Sequence, residues 1–369
     1  MNRAILDEFR NREIVQGMAQ QIASLAEGLE APLTFMEVCG THTMAIYQYG
    51  IRSLLPPSVR LISGPGCPVC VTPVGYVDSA VAFARQANTI IATFGDMVRV
   101  PGSTSSLMQE RAKGADIRIV YSPLDALALA GKNPEKRVIF LGVGFETTAP
   151  TIAGTILTAA SRGVENFFVL AAHKTIPIPM SILSDDPELA IDGYLCPAHV
   201  STIIGTEAYR FLAEEHGVPC VATGFEPADI IQGVEMLVRQ VVEGRSTVEN
   251  QYRRFVLPEG NTKAKELLSR VFVPADAAWR GLGVIPGSGL DIAPEFARFD
   301  ALKALPVTVE EPREPEGCCC GEVLKGKIAP IDCPLFGTAC TPEQPVGACM
   351  VSSEGSCAAA YKYGDAGKR

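Results

Sequence analysis

The sequence predicts an α/β fold of two similar open domains, each on a parallel sheet, and three observations carry that prediction. From Leu33 onward short β-branched runs alternate with helical stretches, the pattern of βα units. Eight such runs occur: LTFMEV, VRLIS, TIIATF, IRIVY, RVIFLGV, FFVLAA, GYLC and VPCVAT. The linker GKNPEK at 131–136 divides them four and four, which favours two open sheets over one eight-stranded barrel. A length of 369 residues allows two or three domains. The expected order is a helix over 1–30, an α/β domain over 31–134, a second over 135–245 and a C-terminal domain over 246–369.

In the first segment Ile5, Phe9, Ile14, Met18, Ile22, Leu25 and Leu29 recur at helical spacing. Residues 3–29 therefore read as one long amphipathic helix, packed across a domain or a domain junction.

In open parallel sheets ligands bind beyond the carboxyl ends of the strands, where helix N-termini present free N–H groups. The segment after each run is thus more informative than the run. LTFMEV leads into Cys39-Gly40-Thr41-His42-Thr43, VRLIS into GPGCPVC with Cys67 and Cys70, and TIIATF into GDMVRVPG with Asp96. RVIFLGV leads into GFETTAP with Glu146, FFVLAA into His173-Lys174, and GYLC into Pro197-Ala198-His199.

Cys67 and Cys70 have the spacing of a redox pair, and a thiol at a helix N-terminus can be acidified to a pKa of roughly 3.5–7.5; a metal half-site or two inert thiols are the alternatives. Cys39, followed by a glycine and a hydroxyl and with His42 three residues on, fits a nucleophile or a soft metal ligand, against the default of a buried free cysteine. Gly142-Val143-Gly144 lacks the third glycine of a dinucleotide fingerprint, and a tight strand-to-helix turn explains it equally well. Glu146 fits catalysis or helix capping. Cys196 and Cys220 lie in or beside apolar runs and read as core, and His216 beside Gly217 reads as a solvated surface residue.

Residues 317–363 hold seven of the twelve cysteines: Cys318, Cys319 and Cys320 in a row, then Cys333, Cys340, Cys349 and Cys357 with six, eight and seven residues between them. The segment is rich in Pro and Gly and has no long apolar run, so it cannot order itself by burial. Four thiolates on one inorganic centre would supply the missing folding free energy. Disulfides, structural zinc and an iron–sulfur cluster compete for them. An intracellular chain keeps its thiols reduced; zinc usually shows a close C-x2-4-C pair, absent here; a cluster takes four cysteines at more variable spacing, though this spacing matches neither ferredoxin pattern.

A net charge of −9 and a pI near 5.2 argue against nucleic acid or an acidic membrane as partner, since phosphates require a basic surface. No apolar run reaches the ~18 residues of a membrane span, and the N-terminus MNRAILDEFRNRE is charged where a signal peptide would be apolar. A cytoplasmic location is the expectation.

Together, FMEVCGTHTMAIYQYGIRSLLP, SGPGCPVCVTP, TFGDMVRVPG, GVGFETTAPT, AHVS and the tail CGEVLKGKIAPIDCPLFGTACTPEQPVGACMVSSEGSCAAAYKY resemble the HypD family of hydrogenase maturation factors, over nearly the full length. The resemblance implies a part in assembling the iron centre of nickel–iron hydrogenases, which carries two cyanides and one carbon monoxide. It implies a HypC-type small chaperone as partner and a HypE-type cyanide donor. It further implies a 4Fe–4S cluster on Cys333, Cys340, Cys349 and Cys357, a redox-active pair at Cys67 and Cys70, and iron binding at Cys39. The implied architecture is two α/β domains plus a smaller, mostly helical or irregular iron–sulfur domain around a central cleft. The chain departs from the family in having Ala198 where glycine is expected, in reading CAAAYKYG where a second tyrosine is expected, and in the run Cys318–Cys320, whose role is open.

Low-valent iron that holds cyanide and carbon monoxide wants soft, electron-rich ligands, and thiolate is the softest a protein offers. Loading it needs electrons, which a cluster near a dithiol can supply. On this reading Cys39 coordinates the Fe(CN)2CO fragment, His42 supports it by a hydrogen bond, and Asp96, Glu146 and His199 position or protonate the incoming groups. The competing readings are a free-standing iron–sulfur thiol/disulfide oxidoreductase and a zinc-stabilised binding module. Cys39, which a simple disulfide reductase would not need, discriminates between them.

Overall fold

The computed structural model describes residues 8–364. Its strands are β1 (Leu33–Glu37), β2 (Val59–Ser63), β3 (Thr89–Thr93), β4 (Asp116–Ile119), β5 (Arg137–Gly144), β6 (Phe167–Lys174), β7 (Gly193–Pro197), β8 (Cys220–Thr223), β9 (Val248–Asn250), β10 (Phe272–Trp279) and β11 (Gly283–Ile292). They form two sheets. The first has the order β2-β1-β7-β8-β9 and is parallel throughout. The second has the order β10-β11-β6-β5-β3-β4, parallel from β6 to β4, with an antiparallel hairpin of β10 and β11 on its edge.

The eight expected runs are β1 to β8, and the α/β class with parallel sheets is as read. The four-and-four division at 131–136 is not how the strands pair. The chain leaves the first sheet after β2, builds β3 to β6 of the second, returns for β7 to β9, and goes back for the hairpin. The segment taken for a linker is a helix-to-strand connection inside the second sheet, between the helix Pro123–Lys132 and β5. The Asn166 side-chain amide lies within hydrogen-bond reach of the carbonyls of Ala130, Asn133 and Lys136 and ties it down. Pro and Gly punctuate a connection of either kind, so composition alone does not tell a turn from a domain boundary.

Parallel sheets covered by helices on both faces bury their central strands completely. In β5 every residue after Arg137 is buried, and Val138, Ile139, Phe140 and Leu141 are fully so. Each such side chain stabilises the fold by about 1.5–3 kcal/mol. On the first sheet the N-terminal helix Arg12–Leu25 buries Val15 and Ile22 in one core with Phe35, Ile230 and Val234. The expected single helix over 3–29 is interrupted at Asn11, whose extended backbone and side chain cap the N–H groups of Glu13 and Ile14. That competition between side-chain oxygen and helix ladder is why Asn favours caps. Ile5 lies outside the described residues. No helix among the described residues is long and apolar enough to cross a membrane.

After Ala304 the chain forms no further strand among the described residues. It runs through the short helix Cys320–Leu324 and single 3-10 turns to a last helix, Ser356–Tyr363.

Candidate functional site

Because both sheets are parallel at their centres, the segments beyond their strand ends gather on one side, as the sequence suggested. A cavity of about 340 Å³ is lined by Val38, Cys39, Thr41 and Gly66 after β1 and β2, by Phe145 and Thr147 after β5, by Pro197 at the end of β7 and His199 beyond it, and by Glu354 from the tail. A second cavity of about 370 Å³ holds Asp96, Phe94 and Thr148 and shares Pro68 and Glu354 with the first. The two sheets and the tail therefore all contribute to the surroundings of Cys39.

Cys39 is the N-cap of the helix Gly40–Gln48 and is 7% exposed. Burial pushes its thiol up to about 12; the backbone N–H groups of His42 and Thr41 work against that rise, and the carboxylates of Glu354 and Glu37 add to it. The residue is thus a protonated thiol at neutral pH, which a metal ion can convert to thiolate by displacing the proton. The GPG turn lies directly on its backbone: a Cβ on Gly66 would come within 2.2 Å of the Cys39 nitrogen, and the Gly40 N–H donates to the Gly66 carbonyl at 3.0 Å. Only glycine permits that approach, and it sets Cys67 next to Cys39. Glu354 lies directly on Gly40, where an added Cβ would meet the Glu354 Cβ at 2.5 Å. Glu354 accepts a 2.7 Å bond from the Thr41 hydroxyl.

Glu37, the last residue of β1 and two residues before Cys39, is fully buried; its carboxylate accepts from the Cys39 N–H at 3.2 Å and from the Thr43 hydroxyl at 2.6 Å. Burial pushes its pKa up to about 7, while the Ser63 and Thr43 hydroxyls and the Arg52 cation hold it down. The reading from sequence missed Glu37 and Glu354. A carboxylate inside the apolar run LTFMEV was the available signal for Glu37; Glu354, one acid in a Ser/Gly loop, gives none.

His42 does not reach Cys39 with its side chain. Its ring Nε2–H donates to the carbonyls of Thr223 and Gly224, both at 2.9 Å, and burial lowers its pKa to about 4. It is a neutral strut between the helix Gly40–Gln48 and the end of β8, because the helical turn points it at the neighbouring strand and away from the cavity. His199 is the imidazole at the cavity: solvent-accessible, its ring tilted against Phe225 with centroids 4.1 Å apart, its pKa lowered by partial burial and raised in part by Glu354. Asp96 is exposed on the second cavity. Glu146 is buried behind the wall that its neighbours Phe145 and Thr147 line; one oxygen accepts from the Ile176 N–H at 3.0 Å and the other has no partner among the described residues. Burial pushes it up to about 7. His173, expected at a strand end, is enclosed against Phe272 with its pKa lowered by burial to about 3. Cys196 and Cys220 are core residues of β7 and β8. His216 is half-buried and bonds Asp185 at 2.8 Å, so it is not a freely solvated residue.

Cys67 and Cys70 are joined as a disulfide across the short helix Pro68–Val71, with Cα atoms 5.2 Å apart. The Cys70 sulfur lies 3.9 Å from the Ala348 carbonyl, one residue before Cys349. A second link runs through the turn of the β10–β11 hairpin. The Arg280 N–H donates to the Val71 carbonyl and its Nε to Thr72, both at 2.9 Å. Gly281, at φ +81°, meets the backbone of Gly321 so closely that a Cβ would stand 2.3 Å from the Gly321 Cα.

The tail cysteines converge. Cys333, Cys340, Cys349 and Cys357 line one cavity, and Cys318 and Cys320 line it too, with Val323, Phe336 and Met350 between them. The space enclosed is about 10 Å³, the room of about one water. The sulfurs of Cys320 and Cys349 are 2.8 Å apart. No carboxylate or imidazole lines the cavity, and six thiols in an apolar wall are the donor chemistry of an iron–sulfur cluster. Among the described residues no three His, Cys, Asp or Glu are grouped as a single-ion site.

Comparison with known proteins gives the family. The family model HypD, described as "Hydrogenase formation hypA family", matches residues 13–364. The chain belongs to the HypD family. It is 47% identical over 363 residues to the hydrogenase maturation factor HypD of Escherichia coli (strain K12), covering 97% of each chain. It is 47% identical to that of Rhodobacter capsulatus over 97% of this chain and 98% of the relative, and 46% identical to that of Cupriavidus necator over 97% of both. The HypD match spans β1 to β11 and all six cavity cysteines, so the Cys39 cavity and the thiol ring lie in one family unit.

Proposed function

We propose that the chain is a hydrogenase maturation factor that holds an Fe(CN)2CO fragment on Cys39 while the fragment is built for transfer. A HypC-type chaperone would supply a further ligand and a HypE-type protein the cyanide. The observation that carries the reading is a buried thiol at the meeting point of both sheets and the tail, with a disulfide next to it in space and a ring of thiols one peptide unit beyond that disulfide.

Each residue then has a task set by its surroundings. Cys39 gives up its proton to become the soft donor that low-valent iron requires. Glu354 and His199, at the cavity wall, orient incoming ligands and take the released proton; Asp96 reaches the cavity next door. As a dithiol, Cys67 and Cys70 would release two electrons and two protons on closing to the disulfide, and the same two electrons and two protons would be needed to reopen it. Cys333, Cys340, Cys349 and Cys357 would hold a 4Fe–4S cluster, which when bound supplies single electrons. Reduced thiols of this number suit a cytoplasmic location.

The test is an infrared spectrum of the chain co-purified with its chaperone, in the region where bound cyanide and carbon monoxide absorb and protein does not. Cys39→Ala is expected to abolish those bands while the complex still forms, since the interface exceeds one side chain. Unchanged bands would move the iron elsewhere; bands absent from the wild-type complex, with thiol–disulfide exchange present, would favour the free-standing oxidoreductase.

A further inference from the structure

We propose that Cys320 is an exchangeable thiolate of the tail cluster, able to take over the iron otherwise bound by Cys349. The inference rests on the cluster reading above and adds a ligand that four-cysteine binding leaves over. Cys320 is buried on the wall of the same cavity as the four tail cysteines. Its sulfur stands 2.8 Å from that of Cys349. Each iron of such a cluster takes one cysteine, and two sulfurs that close together address one coordination position.

The backbones behind them are fixed. Gly321, next to Cys320, abuts Gly281 of the hairpin turn, and a Cβ on Gly355 would lie 2.2 Å from the Cys349 carbonyl oxygen. Exchange therefore needs only rotation of two side chains. The Fe–S bond to Cys349 breaks as the Fe–S bond to Cys320 forms, and the Cys320 proton passes to the Cys349 sulfur. No electron moves, and the charge of the site is unchanged. The thiol set free is the one beside Ala348, whose carbonyl faces Cys70. Cys318 lines the same cavity and hydrogen-bonds Cys320.

The experiment is iron content and visible absorption of the anaerobically reconstituted full-length chain. Wild type, Cys320→Ala and Cys349→Ala are each expected to hold about four irons. Cys320→Ala/Cys349→Ala and Cys333→Ala are expected to hold almost none. Loss of iron in Cys349→Ala with wild type loaded would overturn the exchange, as would retention in the double variant. Should Cys349→Ala not fold by circular dichroism, Cys349→Ser alone and with Cys320→Ala takes its place; failure of both single variants to fold counts against an exchangeable ligand. Wild type without iron would sink the cluster reading instead.

Discussion

Cys39 and Cys349 are both buried thiols, yet they sit in opposite settings. Cys39 caps a helix at the end of a parallel strand, alone, beside a cavity with room for a ligand and with Glu354 and His199 on its rim. Cys349 sits in a 3-10 turn with five other cysteines around a space the size of a water. The sheets hold Cys39 in place, whereas the tail forms no strand among the described residues and is held by short helices and turns that pack Val323, Leu324 and Met350 into the core beside its thiols. The difference suits one centre to a passing cargo and the other to a resident group.

The sharpest way to break that contrast is to remove one ligand of the cluster proposed for the tail. Cys333→Ala is expected to release the segment after Gly317 to limited proteolysis while 33–292 stay protected, because structural metal centres contribute on the order of 10 kcal/mol to folding. Unchanged cleavage would mean that the tail is held by its protein contacts alone.

The two histidines near Cys39 come next. His42→Ala removes two buried hydrogen bonds and leaves two carbonyls unmet, for an expected loss of about 2–4 kcal/mol in urea unfolding. His199→Ala should stay within about 0.5 kcal/mol, yet change the infrared bands of the loaded complex. A large stability loss at His199 with unchanged bands would reverse their roles.

Glu146 gives a pH test. Its carboxyl is raised from 4.5 to about 7 in the fold, so the native state binds the proton more tightly than the unfolded one. The stabilisation is full below pH 4.5 and is lost as pH rises to 7. Glu37 behaves alike, whereas His42, lowered to about 4, and His173, lowered to about 3, work the other way over about pH 3 to 6.5. Glu146→Gln should shrink the stability drop between pH 5 and pH 8 by about 1–3 kcal/mol. A drop of wild-type size would show that Glu146 is already ionised at pH 5.

The smallest effect concerns Glu354, whose carboxylate contributes to raising the Cys39 pKa. Glu354→Gln should lower that pKa and speed Cys39 alkylation at pH 9 by about two- to fivefold, the equivalent of 0.3–0.7 pK unit. No change would leave Glu354 as a contact of Thr41 only.

The parallel strands and the strand-end motifs were legible because apolar runs and their punctuation are local. Sheet membership was not, since β1 pairs with β7 across a stretch that contains the whole parallel part of the other sheet. The β10–β11 hairpin escaped notice because its strands, FVPADAAW and GVIPGSGLDI, lack the β-branched alternation that marks a strand. Within the site, Cys39, Cys67, Cys70, Asp96 and His199 lie at or next to the two cavities. His42 and Glu146 follow equally suggestive glycines and point elsewhere, because a motif gives the order of residues and not the rotation of a helix. The two extra cavity thiols were visible as the run Cys318–Cys320, but nothing in a run says which of three side chains faces inward.

The interleaving of the sheets also has a consequence for synthesis. The β1–β2 pair leaves the ribosome about 130 residues before β7, the strand that covers β1 on its other side. At 5–20 residues per second that is a wait of roughly 7–25 s. During it, an apolar strand edge beside Cys39 lies open to any other nascent chain.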